Sequence, residues 1–118
     1  MQNATLDAPQ LIATVTGSTF GAEVLGHDGP IAAEFMSYGC AHCRALEPVL
    51  QQAAEQLRSR EKVVRVNVAV EQSLAATYKI NGTPTLVMFE NGVEVGRVEG
   101  PHPKLPSILS ALTKPFPS

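Results

Sequence analysis

The chain contains two cysteines, Cys40 and Cys43, three residues apart in Gly39-Cys40-Ala41-His42-Cys43. Thiols at that spacing can clamp a metal, form an inert staple, or cycle between dithiol and disulfide. A closed zinc site takes about four ligands. Here there is no second cysteine pair, and His27 and His102 are remote with no ligand spacing. A metal or iron–sulfur site would therefore have to be shared between two chains. A disulfide-framework fold is excluded, because such scaffolds of this size use several bridges. The redox reading depends on where the pair sits. A thiol in the first turn of a helix meets unpaired backbone N–H groups and the positive end of the helix dipole. Both favour thiolate and bring the pKa of Cys40 below the free value of about 8.5. Cys43, one turn further in, could then attack a mixed disulfide and release the partner.

The elements around the pair supply that placement. Ile31-Ala-Ala-Glu-Phe-Met36 is apolar on both faces, as in the middle of a sheet covered by helices. From Ala41 to about Arg58, Leu46, Val49, Leu50, Ala53, Ala54 and Leu57 recur at helical spacing, with Gln51, Gln52, Glu55 and Arg58 opposite. Pro48 should kink this helix. Cys40 and Cys43 thus fall at a strand-to-helix junction. Leu11–Val15 reads as a short strand, and Ser18 as the N-cap of a short helix carrying Phe20, Val24 and Leu25. Lys62–Val68 reads as a second internal strand and Glu71–Tyr78 as a short helix. Thr85–Phe89, Asn91-Gly92 and Val93–Val98 make a hairpin with a type I′ turn. Pro106 opens a last helix with Leu105, Ile108, Leu109 and Leu112 on one stripe. The order β-α-β-α-β-α-β-β-α predicts an α/β fold, with a central mixed sheet of about five strands flanked by about four helices.

Composition narrows the function classes. The chain has 118 residues, 44% hydrophobic and 17% charged, which suits one soluble domain over 1–118 with residues 1–10 loosely held. A net charge of −2 gives no footprint for nucleic acid or an anionic membrane. No apolar run approaches the roughly 18 residues of a membrane span. The N-terminus has no basic start followed by an apolar block. The default expectation is therefore cytoplasmic, with a periplasmic or secreted setting if a signal peptide has been removed.

The motifs together resemble the thioredoxin family. Cysteines spaced C-x-x-C at a helix start, Pro48 five residues after the second, and Gly82-Thr83-Pro84-Thr85 before the hairpin all match. The Cys43-to-Pro84 spacing matches the family without a gap, and Asn91-Gly92 and Gly100 fall at family positions. The resemblance covers roughly residues 15–113. It implies a cis Thr83-Pro84 bond against the cysteine pair, in a loop that receives the substrate backbone. Tyr38, Gly39, Ala41, Thr83 and Pro84 are then substrate-facing. From pattern alone Glu34 is either a costly buried carboxylate or a pleat position that reaches solvent. The family carries a buried acid at the matching position, so the resemblance implies a raised pKa and a general acid/base role toward Cys43. Arg65 aligns with a family lysine near that acid, so the resemblance implies that it could tune it; the alternative is a solvated strand cation.

The sequence also departs from that family. Tryptophan is absent, so Met36 and Gly39 stand where thioredoxins have it, and the usual partner-docking surface is altered. His42 can offer a hydrogen bond or positive charge to the Cys40 thiolate, which would make the disulfide more oxidising. The segment Glu34–Cys43 is similar to periplasmic disulfide oxidases with Cys-Pro-His-Cys, and Thr83 before the proline to disulfide isomerases. The chain has no room for the oxidases' helical insertion, nor for the isomerases' added dimerisation domain. The expectation is a monomeric thiol–disulfide oxidoreductase with no external cofactor. Its partners would be protein disulfides or dithiols and a reductase or small thiol. The alternatives are a disulfide oxidase or isomerase, and a non-catalytic metal or iron–sulfur module formed across a dimer.

Overall fold

The computed structural model describes residues 11–117. The expectation for residues 1–10 lies outside them. Its elements are β1 (Ala13–Thr14), α1 (Gly21–Leu25), β2 (Pro30–Met36), α2 (Ala41–Leu57), β3 (Lys62–Asn67), α3 (Gln72–Thr77), β4 (Thr85–Glu90), β5 (Val93–Glu99) and α4 (Leu105–Thr113). The order along the chain is the expected one. The five strands form one mixed sheet in the order β1-β3-β2-β4-β5. β3 runs parallel to β1 and β2, while β4 is antiparallel to β2 and β5.

β2 is central because its residues are apolar on both pleats. Ile31, Ala33 and Phe35 point to the layer holding α1 and α3, where they join Phe20, Val24, Val64, Val66 and Phe89. Ala32 points to the α2 and α4 side, against Leu46, Leu50, Ile108 and Leu112. Phe20, Phe35, Tyr78 and Phe89 form an aromatic cluster in the first layer, with ring centroids 5.3–6.4 Å apart. By the same alternation, Glu34 falls on the α2 side.

Several boundaries differ from the sequence reading. β1 has two residues, not five. Ser18 is not an N-cap: α1 is a five-residue π-helical turn with Phe20 at the cap position and no side-chain cap. The Thr19 hydroxyl instead accepts from the Thr16 N–H at 2.8 Å, and Ser18 Oγ contacts Thr16 Oγ1 at 3.0 Å. Of the three apolar residues this turn carries, Phe20 and Val24 are buried and Leu25 is 37% exposed. Glu71 precedes α3 without capping it, and its Oε1 accepts from Gly17 N–H at 2.9 Å. α2 continues through Pro48 to Leu57.

The hairpin turn has φ of 51° at Asn91 and 83° at Gly92, the two positive values a type I′ turn requires. Gly92 is required twice, since a Cβ there would sit 2.9 Å from the Leu25 carbonyl oxygen. Beyond the turn, Met88 faces Gly96 and Phe89 faces Glu94. Val95 is left unopposed, a β-bulge that bends β5.

Candidate active site

β2 ends at Met36, and the chain turns through Ser37-Tyr38-Gly39 into α2. Cys40 occupies the N-cap with extended backbone, and its Sγ accepts from the Cys43 N–H at 3.1 Å. A sulfur thus does what a capping oxygen normally does, by taking one of the orphan donors of the first turn. Partial burial pushes the Cys40 thiol up. Hydrogen bonds from the Cys43 and Thr83 side chains and from the Cys43 and His42 backbone outweigh this and hold its pKa below the ordinary value. Cys43 points inward and is 3% exposed. Its thiol is raised to about 11, chiefly by burial, with the Cys40 hydrogen bond and charge adding to it. The two sulfurs are therefore unequal, one reachable and acidic, the other buried and protonated.

The Thr83-Pro84 bond is cis. Its loop lies against the cysteines, with the Cys40 Sγ 3.5 Å from the Thr83 carbonyl oxygen. Pro84 is buried, and its carbonyl accepts from Gly100 N–H at 2.8 Å. Thr85 Oγ1 closes the loop by donating to the Gly82 carbonyl at 2.7 Å. Tyr38, Gly39 and Ala41 are exposed around the half-buried Cys40.

His42 is exposed, and its ring turns away from the thiol. Nε2 lies 3.0 Å from the Pro101 carbonyl, which fixes it as a donor. The Gly100–Pro101 segment lies against the imidazole; a Cβ on Gly100 would sit 3.8 Å from Cε1. Among the described residues no hydrogen bond joins the His42 ring to Cys40, and His42 reaches that sulfur through its backbone N–H. His27 lines a groove with Glu61 at the other end of the sheet, and His102 is exposed after β5. Neither joins the cysteines.

Glu34 is fully buried, and among the described residues neither of its oxygens has a hydrogen-bond partner. Burial raises its pKa to about 7, against the pull of Arg65 and with a smaller upward push from Glu47. Arg65 stands beside it in register on β3, but its Nη2 pairs with Glu47 Oε2 at 2.7 Å. Burial lowers the Arg65 pKa, but the Glu47 hydrogen bond and charge, Tyr38 and the Glu34 charge lift it above its ordinary value. Cys43, Arg44, Glu47 and Arg65 line a small cavity of about 160 Å³. Glu47 is the site residue that sequence reasoning missed. Its signal was its position one helical turn after Cys43, on the same face of α2.

Comparison with known proteins assigns the family. The thioredoxin family profile matches residues 11–114. The chain belongs to the thioredoxin family. It is 40% identical over 92 residues to thioredoxin 1 of Nostoc sp., covering 78% of this chain and 86% of that one. It is 37% identical over 93 residues to a thioredoxin of Porphyra purpurea, covering 79% and 87%. Against a thioredoxin of Pyropia yezoensis it is 35% identical over 103 residues, covering 87% and 95%. The fold is thus the thioredoxin fold, and the chain is a thioredoxin-like protein-disulfide oxidoreductase. Among the described residues no helix is long and apolar enough to cross a membrane.

Proposed function

We propose that the chain reduces protein disulfides, with Cys40 as nucleophile and Cys43 as resolving thiol. The observation that carries this is the asymmetry of the pair: Cys40 capped and acidic at the surface, Cys43 buried and protonated beneath it. Cys40 thiolate attacks one sulfur of a substrate disulfide, forms a mixed disulfide, and expels the other sulfur as thiolate. Cys43 then gives its proton to Glu34, bonds to Cys40 and releases the second substrate sulfur. The substrate gains two electrons and the Cys40–Cys43 pair loses them. A Glu34 carboxyl raised to about 7 supports this role, because a group of that pKa exchanges protons readily at neutral pH. Tyr38, Gly39, Ala41, Thr83 and Pro84 form the contact surface for the substrate strand. His42 tunes the thiolate through its backbone. A reductase or small thiol returns the electrons, in the cytoplasm.

A second reading is supported by the lowered Cys40 pKa, because a stabilised thiolate makes the disulfide a stronger oxidant. The deciding experiment is the reduction potential of the pair, equilibrated in glutathione buffers and read by thiol alkylation and mass. A value near about −270 mV supports the reductant, and one above about −180 mV makes the chain an oxidant or isomerase. Reduction of insulin disulfides should vanish in Cys40→Ser.

A further inference from the structure

The α2 face of the sheet holds three charged groups whose pairing does not follow from their neighbourhood. Glu34 and Arg65 are register partners on adjacent parallel strands, so their side chains leave the sheet on one face. Arg65 nevertheless gives Nη2 to Glu47. Among the described residues its Nε is buried with no acceptor, while both Glu34 oxygens are buried with no donor. Neighbouring orphans of opposite need are costly, and they would pair unless something held them apart. Glu47 is itself held, since Gln51 Nε2 donates to the same Oε2 at 2.7 Å.

We propose that Glu47 is a positioning residue: it holds the Arg65 guanidinium on α2, away from Glu34, and so sets when Glu34 can exchange a proton with Cys43. This rests on Glu34 being the acid/base partner of Cys43. When Glu34 is protonated, Arg65 rests on Glu47. When Glu34 is ionised and ready to accept, it competes for the same cation, and the unpaired Nε is a donor with no other partner to give up. Transfer of the Cys43 proton neutralises Glu34 and returns Arg65 to Glu47. The other groups facing this cluster are Cys43 and Arg44 from α2 and Tyr38 from the preceding turn. From β4 and α4 the core of this layer takes Leu86, Met88, Ile108 and Leu112.

The test is carbon-13 NMR titration of the reduced full chain carrying carboxyl-labelled glutamate, with the Glu34 signal assigned by its loss in Glu34→Gln. Glu47→Gln should lower the Glu34 midpoint by about one pH unit, as a cation freed to approach a carboxylate does. Glu47→Asp, which keeps the charge but draws it back along α2, should lower it by nearly as much. In an Arg65→Gln background both shifts should shrink. If Glu47 acts only through its own charge, which raises Glu34 directly, the aspartate variant gives only a small fraction of the glutamine shift, and the glutamine variant shifts the midpoint equally with or without Arg65. That result overturns the proposal. Glu47 lies on the helix surface, a third exposed, so the aspartate comparison decides the matter even if Arg65→Gln does not fold. The pH profile of mixed-disulfide decay should move with the carboxyl midpoint. If the midpoint moves and the decay profile does not, the acid/base reading of Glu34 fails while the positioning role of Glu47 stands.

Discussion

Glu34→Gln removes the charge of a fully buried carboxyl with little change of shape, and the burial of that group fixes the sign of the response to pH. The pKa of Glu34 is about 7 in the fold, against 4.5 for the free group. The folded state therefore holds more protons than the unfolded state between those values, and stability falls as pH rises through that window. Below 4.5 the carboxyl is protonated in both states and carries no penalty. Integrating the two titrations gives a loss of about 2.5 kcal/mol between pH 5 and pH 8. Glutamine does not titrate, so its unmet amide hydrogen bonds add a cost that is the same at both pH values. The assay is urea denaturation of the reduced proteins followed by circular dichroism, since the chain has no tryptophan. The variant should gain on the parent by about 2.5 kcal/mol between pH 5 and pH 8. Glu61 also titrates in this range, but it sits at the other end of the sheet and cancels in the difference. Stability curves that stay parallel across the window would refute the burial argument for Glu34.

The same reasoning predicts that Glu61→Gln gains stability relative to the parent as pH rises toward 9, because burial raises Glu61 to about 8; denaturation at pH 6 and pH 9 checks this. Cys43→Ser should accumulate a covalent adduct on Cys40 with a disulfide substrate, visible as a mass increase that a reductant removes. Gly92→Ala should cost about 1–3 kcal/mol by thermal or urea unfolding, since it forces a side chain into positive φ and against the Leu25 carbonyl. A neutral outcome there would mean that the hairpin turn re-forms as another type.

Local chemistry made much of the fold legible. The strand Ile31–Met36 could only be apolar on both pleats if helices covered both sides, and β2 is indeed the central strand. Asn91-Gly92 announced its turn because few other dipeptides tolerate two positive φ values. What stayed hidden depended on competition between neighbours. Thr16, Ser18 and Thr19 offer three hydroxyls within four residues, and only the fold decides which one caps a backbone N–H. His42 was read toward the sulfur two positions back, but the Gly100–Pro101 segment returns from 59 residues away to take its Nε2. Glu47 gains its place in the site from Arg65, 18 residues on, which no local pattern displays. Glu61 lies in the charged run Arg58–Lys62, where nothing in the local pattern singles it out. The Arg60 and Glu61 N–H groups both bond to the Leu57 carbonyl, and Glu61 comes to be 5% exposed.

The two rims of the sheet bear on how the protein behaves when crowded. A free strand edge is a row of unmet donors and acceptors onto which another chain can add itself, and from which fibrils grow. At one rim β1 offers two residues, too short a template for a stable added strand. At the other, β5 is long and exposes Val93 and Val95, which alone would invite such growth. The bulge at Val95 interrupts its ladder midway, and Glu94, Arg97 and Glu99 set charges along it. The irregularity in β5 thus acts as a guard against templated aggregation, and straightening it by deleting Val95 would open that rim to polymerisation.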